Sequence, residues 1–444
     1  MELPELLAPA GDISKAYTAF RYGADAIYCG IAMFSLRTRE NKFTENNIEE
    51  IIEFAKNNNK KVYVTVNAFP HENLIKALIK HLKFLEKVKP DGVIFADVGV
   101  LSLANEYAPS VPKHLSVQTS TMNTPAIKLW ESLGVCRIIC AREMSSSELK
   151  KIHEALPDME LEIFVHGAVC MSYSGRCLMS NFTGGRDANR GVCNHTCRWN
   201  YRVFDEEMRE VDVADHFYPG AKPGCNSTAA KNIRDFEKQN FIEEQERQGE
   251  IVPVEEDFHG THIMSSRDMC LIEQLQEIID AGVCSLKIEG RNKTPYYLAT
   301  VVRAYRRALD DIAADKPFDP TLWDEVHATA NRGFFPGFFN GKPQKGDIQY
   351  EANRSASVKE FCGVVEKWAN GRAEILVKNR IEEGSEVEFV MPTIEKDFVI
   401  TATNLQFGDK KVDILHGGNT NNPSSIECKT KVPVGTFIRQ KTLQ

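Results

Sequence analysis

The chain has 444 residues, of which 42% are hydrophobic and 26% are charged, and its formal net charge is −8. This composition excludes a disordered chain, and the length predicts two or three domains rather than one core. The negative charge excludes a general attraction for nucleic acid but allows a local basic patch. The start, MELPELLAPAG, lacks the features of a signal peptide, and no apolar stretch approaches the roughly 20 residues that span a bilayer. We therefore expect a cytoplasmic protein without a membrane segment.

Short apolar runs alternate with helical patterns along residues 1–310. The predicted strands are residues 3–9, 24–30, 61–68, 92–96, 114–118, 136–141, 161–165 and 284–288. Helices follow them, for example around 47–57 and 74–85, and Thr294-Pro295 predicts an N-cap with proline in the first helical turn. Eight such units in about 300 residues predict a (β/α)8 TIM-like barrel. A doubly wound open sheet is the alternative, although no glycine fingerprint follows the first strand.

Two regions lie outside this pattern. A cysteine-rich insertion, about residues 168–283, separates the seventh strand from the eighth. Residues 311–350 are rich in Gly and Phe and are interpreted as a linker. From 351 to 444, short alternating segments predict a small all-β barrel domain, which we interpret as a packing or RNA-docking module.

Four closely spaced cysteines open the insertion: Cys170, Cys177, Cys193 and Cys197. Twelve cysteines in a chain this long are not a disulfide framework, and clustered thiols in a reducing compartment more often bind metals or do chemistry. Four thiolates suit an iron–sulfur cluster or a structural zinc ion. Spacing alone leaves three alternatives open, namely an iron–sulfur cluster, a zinc site, and redox or inert thiols.

The run from Glu162 to Ser180, E-x-F-x-x-G-A-V-C-x-x-x-x-G-x-C-x-M-S, resembles the signature of the collagenase-like U-32 peptidase family. The resemblance continues along the first 310 residues, in LLAPAGD (6–12), GADAIYCG (23–30), SVQTS (116–120), ARE (141–143), NRGVCNHTCRWNY (189–201) and LKIEGR (286–291). It implies an iron–sulfur protein rather than a proven protease.

The length and the β-rich C-terminal part are most similar to the branch that makes 5-hydroxyuridine at the tRNA wobble position. That branch is implied to require prephenate and no molecular oxygen, whereas sister branches hydroxylate ribosomal RNA or act in ubiquinone synthesis. The resemblance implies a [4Fe–4S] cluster held by Cys170, Cys177, Cys193 and Cys270. The stretch between Cys193 and Cys270 is longer than the family pattern suggests, so Cys197 is an alternative fourth ligand. A partner subunit is left open.

Polar residues collect where the predicted strands end, which is where barrels of this type carry their chemistry. The candidate catalytic residues are Asn67, Asp97, Gln118, Arg142, Glu143, His166, Glu289 and Arg291. Arg142 and Arg291 could bind the carboxylates of a dicarboxylate such as prephenate, and His166 with Glu143 or Glu289 could act as acid–base groups. Any one of these residues could instead be a helix cap or a structural group.

Basic residues form two groups that could bind RNA. One group surrounds the eighth strand: Lys287, Arg291, Lys293, Arg303, Arg306 and Arg307. The other flanks the cysteines: Arg186, Arg190, Arg198 and Arg202, with Trp199 and Tyr201. A solvated helix face is the alternative for the first group.

Two other functions compete with RNA modification. A peptidase is one, although the chain has no HExxH motif and no nucleophile elbow, so Cys170 and His166 would have to form a thiol site. An iron–sulfur scaffold without turnover of its own is the other.

Overall fold

A computed structural model describes residues 3–36, 41–169, 267–341, 357–418 and 422–442, and the backbone of short strands within 203–266 and at 348–349. Parallel strands alternate with helices from residue 5 onward. The first seven strands are Glu5–Pro9 (β1), Ala26–Cys29 (β2), Lys61–Val66 (β3), Gly92–Phe95 (β4), Lys113–Leu115 (β5), Val135–Ile139 (β6) and Glu160–Ala168 (β7).

The chain between β7 and the eighth barrel strand carries short strands. Those described by backbone alone are Val203–Phe204 (β8), Glu210–Val211 (β9), Asn240–Glu243 (β10), Ile251–Asp257 (β11), Gly260–His262 (β12) and Ser265–Ser266 (β13). Asp268–Cys270 (β14) then pairs antiparallel with the end of β7, which places Cys270 opposite His166. Ser285–Ile288 (β15) is the eighth strand of the barrel.

β15 closes the barrel because it pairs in parallel with both β1 and β7. Ser285 is the Cα partner of Glu5 on one side and of Glu162 on the other. The strands begin and end within a few residues of the predicted ones, and the predicted (β/α)8 fold is confirmed. In an open doubly wound sheet, the strand order would end at two edge strands that do not pair with each other. Here β15 joins β1 to β7 and closes the ring of strands, so an open sheet is excluded.

Nine α-helices lie in the described ranges, and most of them cover the barrel. They are Ile13–Arg21 (α1), Glu45–Asn57 (α2), Ile75–Val88 (α3), Val98–Tyr107 (α4), Thr124–Ser132 (α5), Ser146–Ala155 (α6), Leu275–Asp280 (α7), Pro295–Ala313 (α8) and Thr321–His327 (α9). As predicted, Thr294 caps α8, since its side chain accepts a hydrogen bond from the Tyr297 N–H. No helix of the described ranges is long and apolar enough to cross a membrane.

Charged side chains occupy the barrel interior, where layers of branched aliphatic residues are usual. Glu5 on β1 accepts hydrogen bonds from Arg137 Nη1 on β6 at 3.0 Å and from the Tyr63 hydroxyl on β3 at 2.6 Å. Glu162 on β7 lies 3.3 Å from Arg137 and accepts from Lys287 Nζ on β15 at 2.7 Å. Because β1, β3 and β6 are not neighbours, these contacts cross the interior. Burial acts to raise the pKa of Glu5, but the charges of Arg137 and Lys61 and the hydrogen bonds from Tyr63 and Arg137 together outweigh it, so the pKa lies below its usual range.

The segment predicted to be a linker contains packed structure. Helix α9 and the strand Phe334–Phe335 (β16) lie within it, and β16 extends the barrel sheet beside β14. Leu322, Val326 and Phe339 are buried in the barrel core. Its described part, residues 311–341, is therefore an addition to the barrel rather than a free connection.

The C-terminal part is an antiparallel β domain with its own core, as the sequence predicts. After Ile348–Gln349 (β17), its strands are Lys359–Ala369 (β18), Arg372–Val377 (β19), Ile381–Glu382 (β20), Glu386–Val390 (β21), Phe398–Thr401 (β22), Gln406–Phe407 (β23), Lys410–Lys411 (β24), Ile414–Leu415 (β25), Ser424–Glu427 (β26) and Phe437–Lys441 (β27). Eight of them form one sheet, and β20 pairs with β25.

Candidate active site at the barrel mouth

The structure brings the predicted site residues to one rim of the barrel. Seven of them follow the carboxyl ends of strands: Asn67 after β3, Asp97 after β4, Gln118 after β5, Arg142 and Glu143 after β6, and Glu289 and Arg291 after β15. His166 lies within β7 itself. This end of a (β/α)8 barrel is where active sites are built.

Arg142 lies against an aromatic ring and a carboxylate. Its guanidinium carbon is 3.7 Å from the centre of the Phe164 ring, and Nη2 is 3.7 Å from Glu289 Oε2. A desolvated contact of a cation with a ring stabilises by about 2 kcal/mol or more. Glu289, one of the acid–base candidates, is therefore part of an ion pair.

Arg291 is oriented by neutral oxygens. Nη1 donates to Ser35 Oγ at 2.7 Å, to Thr65 Oγ1 at 3.3 Å and to Asn41 Oδ1 at 3.4 Å. The guanidinium carbon is 5.6 Å from the centre of the Tyr28 ring. These oxygens help to fix the orientation of the guanidinium at the rim, and a guanidinium held in this way can bind a carboxylate through two parallel hydrogen bonds.

Lys287 lies between the two arginines. Its Nζ is 4.1 Å from the Tyr28 ring centre, which Arg291 also faces, and 5.7 Å from that of Phe164, which Arg142 covers. Burial lowers the pKa of Lys287, while its bond to Glu162 acts in the opposite direction. Lys287, Tyr28 and Phe164 therefore belong to the mouth, although the sequence analysis assigned Lys287 to an RNA-binding group and predicted neither ring as a site residue.

Assigning Lys287 to a basic surface is wrong, because the residue is 4% exposed and points into the barrel. The signal was present in the sequence. Lys287 is a single charge between Leu286 and Ile288 in a strand that is buried on both faces. Alternation along such a strand sends one set of side chains to the helices and the other to the interior.

Gln118 and Asn67 are buried amides at the rim. Gln118 Oε1 accepts a hydrogen bond from Ser116 Oγ at 3.0 Å, while Nε2 is buried and no described residue accepts a hydrogen bond from it. Asn67 Oδ1 accepts from the Leu36 backbone N–H at 3.1 Å. A buried donor left unpaired costs about 1–3 kcal/mol, so the Gln118 amide is suited to meet a ligand.

Asp97 caps a helix. Its Oδ1 accepts from the Val100 backbone N–H at 3.0 Å, and it is the N-cap of α4. The helix-cap alternative therefore accounts for its position. Glu143 follows Arg142 and is half-buried.

His166 is packed among aromatic rings. The ring centres of Phe334 and Tyr305 lie 5.2 and 5.5 Å from its own, and the Tyr305 hydroxyl is 3.4 Å from Nδ1. Burial lowers the pKa of His166 to about 3. A group with so low a pKa is a weak base at neutral pH, and the structure gives no support to the predicted acid–base role.

Cys270 is the one predicted cluster ligand within the described residues. It is buried, its Sγ is 3.5 Å from the Tyr305 hydroxyl, and burial raises the pKa of its thiol to about 12. A soft metal charge would be needed to hold it as a thiolate, and thiolates are the usual ligands of iron–sulfur clusters. Cys170, Cys177, Cys193 and Cys197 lie outside the described residues. Within the described ranges, no group of three or more His, Cys, Asp and Glu side chains could hold a metal.

The predicted basic patch around the eighth strand is not a free surface. Besides Lys287, Arg291 and Arg303 are buried. Arg306 is paired with Asp25 and Asp310, and Arg307 with Asp311. The second basic group, with Trp199 and Tyr201, lies outside the described residues.

The fold is that of a TIM-barrel protein, with cations and aromatic rings at the end of the barrel where such proteins carry their ligand sites. Residues 11–349 match the model of peptidase family U32, and residues 358–439 match that of the peptidase family U32 C-terminal domain. The chain belongs to the U32 peptidase family, which confirms the resemblance.

Relatives within this family carry two kinds of name. The tRNA hydroxylation protein P of Escherichia coli (strain K12) is 40% identical over 89% of this chain and 88% of that protein. The tRNA hydroxylation protein P1 of Bacillus subtilis (strain 168) is 34% identical over 88% of this chain and 84% of that protein. A protein named collagenase, from Porphyromonas gingivalis (strain ATCC BAA-308 / W83), is 28% identical over 76% of this chain and 74% of that protein.

Proposed function

We propose that this chain is an iron–sulfur enzyme that hydroxylates the wobble uridine of tRNA to 5-hydroxyuridine, with prephenate as a required metabolite and without molecular oxygen. Relatives of 40% and 34% identity that are named for tRNA hydroxylation support the tRNA substrate, since their matches span most of both chains. The resemblance in sequence motifs is the basis for the cluster and for prephenate.

The observation that carries the proposal is the position of Cys270. Cys270 lies on β14, opposite His166 of β7. The chain continues from β7 through Val169 directly into the cysteine-rich segment. Cys170, Cys177, Cys193 and Cys270 would hold a [4Fe–4S] cluster, with Cys197 as the alternative fourth ligand. When bound, the cluster would supply one-electron chemistry or polarise the substrate. Arg142 and Arg291 at the same rim would bind and orient the metabolite's carboxylates.

A peptidase is the competing function, because a relative is named collagenase. A cysteine peptidase needs a thiolate of low pKa beside a basic histidine. Within the described residues, burial instead raises the pKa of Cys270 to about 12 and lowers that of His166 to about 3. These directions disfavour a thiol site that uses His166. Hydroxylation of ribosomal RNA and a scaffold role stay as alternatives that RNA analysis would reveal.

The first test is to purify the protein without oxygen, record its visible absorption, and measure iron and sulfide. We expect about four of each per chain. Cys270→Ala should lower both, whereas Cys362→Ala, which changes a buried cysteine of the β domain, should not. Wobble-uridine analysis in a deletion strain, complemented with each variant, should show 5-hydroxyuridine only where the cluster is retained. An iron-free protein with zinc or no metal would overturn the redox function and favour the peptidase.

A further inference from the structure

We propose that Lys287 binds a carboxylate of the small-molecule ligand at the base of the barrel mouth, and that it makes the site select a doubly charged acid over a singly charged one. The inference rests on the proposed function in taking the ligand to be a small dicarboxylate. Lys287 is a binding residue in this proposal, and Glu162 is the positioning residue that holds it.

The hydrogen-bond donors of Lys287 exceed the acceptors around it. An ammonium group carries three donors. Among the described residues, Glu162 Oε1 at 2.7 Å is the acceptor that the Lys287 ammonium reaches, and the face of Tyr28 attracts its charge. The side chain is nevertheless more than nine-tenths buried. A buried ammonium with a donor left over requires an acceptor, and a carboxylate oxygen is the strongest one available.

Charge around Lys287 also favours an anion. The carboxylate of Glu162 is shared, because its other oxygen lies 3.3 Å from Arg137. Arg291 faces the same Tyr28 ring as Lys287, and its charge acts to lower the pKa of Lys287, so the two cations repel each other. An oxyanion between them would turn this repulsion into two attractions.

The place of Lys287 in the strand puts it within reach of the mouth. It precedes Ile288, the last residue of β15, and lies two and four residues before Glu289 and Arg291 at the rim. The Tyr28 and Phe164 rings form the walls on either side. Gln118, another buried donor without an acceptor among the described residues, follows β5 at the same end. Among the described residues, Lys287 and Gln118 therefore both present hydrogen-bond donors without enough acceptors, which is complementary to a ligand rich in acceptors.

Two ligands that differ in the number of their carboxylates test whether Lys287 binds one of these groups. Prephenate carries two carboxylates, and phenylpyruvate keeps the pyruvyl carboxylate but lacks the one on the ring. If Lys287 binds the second carboxylate, removing its charge should weaken prephenate and leave phenylpyruvate nearly unchanged. Lys61→Met is the matched control, since Lys61 contacts Glu5 in the same interior network but lies at the opposite, exposed end of the barrel.

The experiment is isothermal titration of the anaerobically purified holoprotein with each acid. We expect Lys287→Met to weaken prephenate binding at least tenfold, about 1.4 kcal/mol, with less than a twofold change for phenylpyruvate. Lys61→Met should bind both as the wild type does. Lys287→Arg, which keeps the charge, should recover most of the prephenate affinity.

A second variant guards against misfolding. Lys287→Met leaves the Glu162 carboxylate buried with Arg137 alone, so the Glu162→Gln/Lys287→Met double variant, which removes both charges, is measured beside it. Circular dichroism melting identifies which of the two is folded. Unchanged prephenate affinity in the folded variant overturns the proposal, and an equal loss for both acids overturns the selectivity.

Failure of the proposed function can be told apart from failure of this inference. Lys287-dependent binding in a protein that does not modify tRNA counts against the function and supports the inference. If the protein modifies tRNA but Lys287→Met binds prephenate as tightly as the wild type does, the inference fails and the proposed function stands. Succinate, another small dicarboxylate, is titrated as well, in case the ligand is a dicarboxylate other than prephenate. A wild-type protein that binds neither acid overturns the inference.

Discussion

His114 shows how the charged interior acts on a single residue. Its imidazole is buried on β5, with the Tyr63 ring centre 4.9 Å away. Burial lowers its pKa, and the charges of Arg137, Lys287 and Lys61 lower it further, so the pKa lies well below the usual range. The folded protein therefore holds His114 neutral over a range of pH in which an unfolded chain would protonate it.

This gives a pH dependence with a definite sign. Below about pH 6.5, His114 binds a proton in the unfolded state but stays neutral in the folded state. The free energy of unfolding therefore falls as pH falls. We expect His114 alone to contribute a loss that approaches about 1.4 kcal/mol per pH unit, so the total loss should be smaller in His114→Asn than in the wild type. Urea unfolding at pH 7 and pH 5 measures this, with His71→Gln, an exposed histidine of the barrel, as the control. Parallel pH curves for the wild type and His114→Asn would contradict it.

At the scale of elements, the strand ends serve two purposes. Asp12, Thr44, Asp97, Asn123 and Thr294 are N-caps whose side chains accept backbone hydrogen bonds, and each lies before the helix that follows a barrel strand. A polar residue after a strand of this barrel can therefore be a helix cap rather than a catalytic group.

Substitution at Asp97 separates these uses. Asp97→Ala removes the cap of α4 and should cost about 1 kcal/mol of folding stability, as should Asn123→Ala at the cap of α5. Asp97→Asn keeps a good capping side chain without its charge, and its stability should stay within a few tenths of a kcal/mol of the wild type. Thermal denaturation tests both. If Asp97→Asn retained its stability but lost tRNA hydroxylation, a catalytic role for Asp97 would be supported instead.

Much of the element order could be predicted because barrel strands buried on both faces form short apolar runs between helical patterns. The residues at the barrel rim could be predicted because they directly follow the carboxyl ends of the predicted strands. The alternation in β15 could have placed Lys287 in the interior, but its partner could not be predicted. Arg303 could not be placed, since charged residues are usually exposed. Glu162 lies 125 residues before Lys287, and no local pattern pairs them. Helix α9 was missed because Gly and Phe around it indicate a linker, whereas packing on the barrel determines its structure.

At the scale of the whole molecule, two arginines join the barrel to the β domain. Arg439 on β27 donates from Nη2 to Glu325 of α9 at 2.9 Å and to Glu388 of β21 at 2.8 Å. Arg303 of α8 reaches Glu325 from Nε at 2.7 Å and Asp397 from Nη1 at 2.8 Å. Burial acts to raise the pKa of Glu388, but the hydrogen bonds and charges of Arg439 and Lys359 together outweigh this and lower the pKa to about 2. These buried pairs fix the β domain on the outside of the barrel.

Removing one partner from this network should be costly. Arg439→Met leaves Glu325 and Glu388 buried with less compensation, and we expect a loss of about 3–5 kcal/mol. Arg380→Met, which breaks an exposed pair with Glu382, should cost less than about 1 kcal/mol. Differential scanning calorimetry of both variants checks this, and a separate melting transition of the β domain in Arg439→Met would locate the damage. Equal small losses in the two variants would contradict a supporting role for the network.

The pairing of β1 with β15 has a consequence for synthesis on the ribosome. The hydrogen bond from Ser285 to Glu5 joins residues 280 positions apart. Translation adds about 5–20 residues per second, so the first strand waits roughly 15–60 s for the strand that completes its side of the barrel. During that time β1 exposes an unpaired edge, to which chaperones or other nascent chains can bind. Strand β1, although it is made before the other barrel strands, is thus among the last to be paired on both edges.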